Sequence, residues 1–274
     1  ATARRDRRSV LAQRLASAFV LIPLVLAGVW LGSPYLDVLV AAFGAAMAWE
    51  WTGLCARGRA GMVAVIGILT VLGAVAASLA ASFGLAFALV AAGAAAMAVA
   101  AAVTGAGSPI LQGLGAVYIG VPCLALLWIR ADPEAGLATL LWALVLVWAV
   151  DTSAYIAGRA IGGPKLAPAI SPAKTWAGLG GGVLAAAAVG LIAGLWSRPA
   201  SAWVLVAISA GLALVEQAGD LAESALKRHF GVKDSGRIIP GHGGVLDRVD
   251  GLMTVAVAVA GLMLIGGGSV LTWR

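Results

Sequence analysis

The sequence predicts an all-α, polytopic helical membrane protein of about nine transmembrane helices, with its N-terminus in the cytoplasm. Three observations carry this. Of 274 residues, 62% are hydrophobic and 11% charged, whereas soluble domains carry about 25% charged residues. Mean hydropathy is +1.01. Apolar windows of about 20 residues, the length that crosses a bilayer, recur along the whole chain.

The spans follow in order. Arg4, Arg5, Arg7 and Arg8 precede an apolar run, as in a signal peptide. No small-residue cleavage pattern follows Trp30–Tyr35, so the run reads as a signal anchor retained as the first span, 15–32. The next spans are 36–54, 62–81, 83–103, 111–129, 137–157, 177–196, 202–219 and 252–271. Trp49 and Trp51 read as interface anchors, with Glu50 between them as a packing or pairing residue. The third and fourth spans are divided only by a turn at Ala81–Ser82. The run from Ala86 to Val103 reads as a small-residue span, and 37 glycines suit close helix packing in lipid.

Alternating sides puts 15 basic residues in the cytoplasm and three, Arg130, Arg198 and Arg274, outside. That bias is the positive-inside pattern, and it accounts for a formal charge of +6 without nucleic acid. No linker divides the chain, so residues 1–274 read as one membrane domain. Residues 1–145 would serve packing or dimerisation, and 146–252 carry the motifs. Cys55 and Cys123 form no CxxC or Cys/His cluster, which argues against structural zinc and a disulfide framework.

Three polar clusters fall on the cytoplasmic side. The first is Asp151, Tyr155 and Arg159 at the end of the sixth span; Asp151 pairs with Arg159 or with a lysine of the second cluster, or contacts substrate or metal. The second is Ser171, Pro172, Lys174, Thr175 and Trp176. Ser171 reads as a helix N-cap and Pro172 as the first helical residue, and a helix N-terminus accepts phosphate. The third runs from Glu216 to Asp250. Glu216, Asp220, Glu223 and Lys227 form one helical stripe, with Ser224 and Arg228 beside it. Asp247 and Asp250 share a face if the last helix begins near Leu246.

Gathered carboxylates repel one another, and a divalent cation removes that cost. Oxygen ligands favour Mg²⁺. Lys227, Arg228, Lys233, Arg237 and Arg248 suit phosphate oxygens. The Pro240–Gly244 loop, containing His242, Gly243 and Gly244, offers backbone N–H groups to an anion. These parts suit metal-assisted phosphate chemistry. Blander readings exist: Glu223 and Lys227 as an i,i+4 pair, Glu216 bonded to a neighbouring helix, Asp247 and Asp250 as caps or partners of Arg248, His242 as a turn residue, His229 as an interface residue.

These motifs resemble the phosphatidate cytidylyltransferase (CDP-diacylglycerol synthase) family. Its signature reads here as Ser224, Lys227, Arg228, Lys233, Asp234, Ser235, Gly236, Pro240 through Gly244, Asp247, Arg248 and Asp250. Asp151 to Tyr155, Ser171 to Trp176 and Gly219 to Ser224 are also similar, so the resemblance covers about residues 145–252. Ala177 stands where many members have Glu. The resemblance implies the reaction of CTP with phosphatidate to give CDP-diacylglycerol and pyrophosphate. It further implies Mg²⁺ at Asp220 and Asp247, with Asp250 and Glu223 assisting, and room for a second cation. Lys227, Arg228, Lys174 and Lys233 would take phosphate charge; Ser171, Thr175 and Ser224 would donate hydrogen bonds. His242 would position a phosphate or shuttle a proton, and Asp151, Asp234, Gly243, Gly244 and Arg248 would border the substrates. Expected partners are CTP, phosphatidate, the bilayer and a second copy in a homodimer, with no nucleic acid. The expected location is a bacterial inner membrane, with the site on its cytoplasmic side. A CTP enzyme acting on another lipid phosphate or a polyprenyl-type alcohol, and an ion-coupled transporter, are the competing readings.

Overall fold

A computed structural model describes residues 17, 19–56, 61–80, 82–197, 202–241 and 243–273. Among these residues the chain is almost wholly helical. The helices are α1 (Phe19–Leu31), α2 (Tyr35–Ala56), α3 (Gly61–Leu79), α4 (Phe83–Thr104), α5 (Pro109–Arg130), α6 (Gly136–Ala160), α7 (Trp176–Ser197), α8 (Ala202–His229) and α9 (Leu246–Gly266). All but α1 are long and apolar enough to cross a membrane. One small antiparallel hairpin, β1 (Lys165–Ala167) and β2 (Ser171–Thr175), interrupts the helical pattern.

The described residues group into two compact units. The first takes the chain up to Leu127 together with Val232–Val249; the second takes Trp128–Gly231 and the chain from Asp250 on. In the first, α2 packs on α3 and α3 on α4. The third and fourth spans are thus separate helices, and Ser82 N–H bonds back to the Ala77 carbonyl between them. The core here is small: Val63, Ala64, Met97, Ala100 and Ala101 pack with Ala106 and Ala116. Lipid tails are as apolar as leucine, so membrane helices associate by close packing, and small residues permit it. A Cβ on Gly93 would come 2.7 Å from the Thr70 Cβ.

Trp51 departs from the interface-anchor expectation. It is buried, its Nε1 donates to the Leu111 carbonyl at 2.9 Å, and its ring lies 5.1 Å from that of Tyr118. Buried indole needs a partner for its N–H, and α5 supplies it. Trp49 on the opposite face is exposed, as an anchor would be.

The second unit is built on α6, α7 and α8, with α7 packed against both. The buried positions of α7 are Gly178, Gly182, Ala186, Gly190 and Gly194, one small residue every four. This stripe brings α8 close enough that a Cβ on Gly190 would meet the Ser209 side chain at 2.8 Å. Leu184, Ile192 and Leu195 on the other face of α7 are exposed, as lipid-facing residues are.

Two boundaries move from the sequence reading. Helix α8 continues past 219 to His229, so the acidic stripe is helical throughout. Helix α9 covers 246–266 rather than 252–271. Gly267 takes a left-handed φ of 73°, and Gly268 N–H bonds to the Met263 carbonyl at 3.0 Å, a C-terminal stop available to glycine. The chain then turns back, burying Ser269, Val270 and Leu271.

Candidate functional site

In the second unit, polar residues gather where α6 ends, the hairpin forms and α8 carries its acidic stripe. After α6, Gly162 and Gly163 turn the chain with φ of 70° and 89°. Lys165 then pairs with Thr175, and Ala167 with Ser171. This corrects the helix start expected at Ser171 and Pro172. Both belong to a strand, and the cap is Thr175, whose Oγ1 accepts the Gly178 N–H at 3.0 Å. Cross-strand pairing with residues 165–167 outweighs the local Ser-Pro signal.

A pocket of about 420 Å³ opens here, lined by Asp151, Tyr155, Arg159, Lys165, Lys174, Thr175 and Asp220 among others. Lys174 forms an ion pair with Asp220, and Ser224 Oγ donates to the other oxygen of Asp220 at 3.2 Å. Asp151 is exposed to the pocket, with Lys174 and Glu216 as electrostatic neighbours. Arg159 instead donates to the Tyr155 hydroxyl at 3.1 Å, which favours the lysine alternative for Asp151. Arg228 Nε donates to the Ile170 carbonyl at 3.2 Å, tying the end of α8 to the hairpin.

The stripe on α8 is as the spacing predicts. Glu216, Glu223 and Lys227 are buried, and Asp220 is half-buried. Lys227 Nζ donates to Glu223 Oε2 at 3.1 Å, so this pair is not a surface one. Gln217 Nε2 donates to Glu216 Oε2 at 3.3 Å. Helix α9 reaches the stripe through Gly251, where a Cβ would lie 2.8 Å from Glu216 Oε1. Asp250 and Glu223 are electrostatic neighbours, an arrangement of two carboxyl groups that a shared proton or a cation holds together. Glu223 Oε1 is buried and receives no hydrogen bond from any described donor.

Five carboxyl groups, Asp151, Glu216, Asp220, Glu223 and Asp250, therefore face one another's charge with Lys174 and Lys227 as the cationic partners. Excess carboxylate oxygen and an orphaned buried acceptor fit a hard divalent cation. Among the described residues no three acidic, His or Cys side chains already converge as a finished coordination shell.

The first unit holds the rest of the signature. Residues 233–241 and 243–245 lie in a loop leading into α9, closed by a bridge in which Ile239 N–H bonds to the Gly243 carbonyl at 2.9 Å. Lys233, Asp234 and Arg237 are exposed on it, and Arg248 is exposed on the first turn of α9. Asp247 accepts the Ser235 N–H on both oxygens, at 3.1 and 3.0 Å, and the Gly244 N–H at 2.9 Å. Here it organises its own loop. A carboxylate offers about four lone-pair sites, so these bonds do not exhaust its capacity. His242 lies outside the described residues.

From the other side the loop is held by Glu50 of α2. Its Oε1 accepts the Val245 N–H at 3.0 Å; its Oε2 accepts the Leu246 N–H at 2.9 Å and the Ser235 hydroxyl at 3.4 Å. The sequence predicts packing or pairing for Glu50, but not this partner, which is about 190 residues away in the chain. Lys165 was also missed as a pocket residue. Its signal was position: a lysine just after Gly162 and Gly163, between two motifs.

The chain is similar in sequence to known proteins. The family described as "Cytidylyltransferase family" matches residues 12–265. A phosphatidate cytidylyltransferase of Brucella abortus is 40% identical over 249 residues, covering 90% of this chain and 91% of that protein. One from Staphylococcus epidermidis is 44% identical over 143 residues, 52% of this chain and 54% of that protein.

Proposed function

The chain belongs to the cytidylyltransferase family, and from that membership we propose that it transfers the cytidylyl group of CTP to phosphatidate, giving CDP-diacylglycerol and pyrophosphate. The observation that carries the reading is the Lys174–Asp220 ion pair in a pocket that also holds Arg159, Lys165 and Asp151. Cations beside a carboxylate cluster suit a polyphosphate that arrives with a metal ion.

The chemistry follows from the substrates. A phosphate oxygen of phosphatidate is already an anionic nucleophile, so no side chain has to remove a proton from it. That oxygen bonds to the α-phosphorus of CTP, the bond from the α-phosphorus to the bridging oxygen breaks, and pyrophosphate leaves with the electron pair. The obstacle is repulsion between two polyanions. Lys174, Lys165 and Arg159 lower it by charge, and Thr175 and Ser224 keep Lys174 and Asp220 at fixed positions through the bonds described above. Asp220, Glu223 and Asp250 would hold Mg²⁺, which when bound neutralises phosphate charge at the reacting phosphorus. In the first unit, the loop bearing Lys233, Asp234, Gly243 and Gly244, followed by Arg248 in α9, carries anion-binding groups of its own, with Asp247 as its anchor. Lys227, through Glu223, keeps the acidic stripe in place, and Arg228 braces the hairpin. The lipid reaches its position from within the leaflet without leaving the bilayer. The basic bias supports a reaction at the cytoplasmic face of a bacterial inner membrane, and a homodimer is the assembly that the family resemblance implies.

Purified protein in micelles with labelled CTP, phosphatidate and Mg²⁺ tests this. Label is expected in the lipid phase, and its transfer should be abolished by EDTA and by Asp220→Asn. Transfer to another lipid phosphate but not to phosphatidate would keep the chemistry and refute the substrate. A folded protein transferring to no lipid would refute both.

A further inference from the structure

We infer that Glu50, on an N-terminal helix remote in sequence from the motifs, is a positioning residue for the proposed reaction, locking the signature loop to α2. The inference rests on the nucleotidyltransferase reading above for what the loop does, and on geometry for how it is held. Glu50 is 4% exposed inside a membrane-spanning helix. A carboxylate there is costly and is retained where it does something. Among the described residues it forms no ion pair with a lysine or arginine. Its oxygens are spent on Val245 N–H, Leu246 N–H and the Ser235 hydroxyl instead. Val245 and Leu246 lie at the start of α9, whose first amides have no partner within the helix. Glu50 therefore caps α9 from outside its own sequence, and a negative charge there also suits the helix dipole.

The loop is shaped around this carboxylate. A Cβ on Gly236 would strike it, and one on Gly244 would come 2.7 Å from Oε2. A side chain at either signature glycine would therefore displace the Glu50 carboxylate, and at Gly244 the Ser235 hydroxyl as well. Asp247 grips the same loop through Ser235 and Gly244. Glu50 and Asp247 between them fix both ends of the segment that carries Lys233, Asp234 and Gly243. Removing Glu50 leaves Asp247 as the remaining carboxylate anchor and lets the loop shift.

The test uses full-length Glu50→Ala and Glu50→Gln in micelles, measuring turnover and hydrogen exchange by segment. In Glu50→Ala, kcat is expected to fall on the order of 100-fold, the scale on which a misplacement of about 1 Å acts. Glu50→Gln keeps one carbonyl acceptor and is expected to recover about tenfold of that loss. Exchange across 233–247 should accelerate in Glu50→Ala while α3 and α4 keep wild-type protection. Wild-type kcat in the folded Ala variant, or unchanged exchange across the loop, overturns the inference. So does loss of protection throughout the first unit in both variants, which would make Glu50 a residue of general stability. Should Glu50→Ala alone fail to fold, Gly236→Ala displaces the same carboxylate and is expected to give the same loop-restricted exchange. The exchange measurement needs no turnover, so a wrong substrate and a wrong role for Glu50 are told apart.

Discussion

Lys174 sits within ion-pair distance of Asp220 and beside Asp151, so it serves two carboxylates before any substrate arrives. Its charge is needed there, and its flexible stem lets it move to a phosphate. Replacing it with methionine keeps the stem and removes the charge. We expect Lys174→Met to lower cytidylyl transfer on the order of 100-fold or more, the cost of removing one preorganised donor from a developing anion, measured as label entering lipid. Lys174→Arg should fall between, because a guanidinium is larger and planar. At this scale the acidic stripe was legible: residues 216, 220, 223 and 227 recur at helical spacing, and the helix is where the spacing puts it. Glu50 was legible as a packing or pairing residue but not as an anchor of the loop. Nothing local in a Trp-Glu-Trp run points to amides near residue 245, because the contact exists only once α2 and the loop have packed.

Among the elements, the hairpin is what hydropathy could not reveal. Ser171 and Pro172 satisfy the local rule for a helix start, yet Thr175 is the cap and residues 171–175 pair with 165–167. Five residues of strand place Lys174 half-buried in the pocket and leave Thr175 buried at the helix entrance. The cap also explains a near approach, since Gly178 lies against the Ala154 carbonyl of α6 and its own N–H is taken by Thr175. Thr175→Ala should cost about 1 kcal/mol, the usual value for a lost N-cap, read as a lower thermal midpoint in micelles. Thr175→Ser keeps the acceptor and should stay near wild type; an equal loss in both would mean that the methyl group, not the cap, matters. The end of α9 has a similar origin. Apolar residues continue past 266, but three glycines end the helix, and Ser269 turns inward to meet Thr139 in a buried hydroxyl contact. Hydropathy measures transfer to lipid and is blind to where the backbone turns.

For the molecule as a whole, the count of basic residues predicts an orientation, and α6 provides the ruler to test it. The helix has 25 residues, about 37 Å at 1.5 Å per residue, enough to separate its two ends by a full bilayer core. Glu134 is exposed before its start and Ala169 is exposed at the hairpin after its end. Cys55 and Cys123 are buried and free, so they contribute little background to labelling by a thiol reagent. In cells of a bacterial host, a membrane-impermeant maleimide should label Glu134→Cys from outside and reach Ala169→Cys only after the inner membrane is permeabilised. The opposite pattern would put the motif hairpin outside, away from the cytoplasmic pool of CTP, and would count against both the orientation and the proposed reaction. Labelling of both from outside would mean that α6 does not cross the bilayer as one helix. The expected pattern follows from the basic residues: Lys165, Lys174, Lys227 and Arg228 lie in the hairpin and the end of α8, whereas the α5–α6 turn carries Arg130 alone.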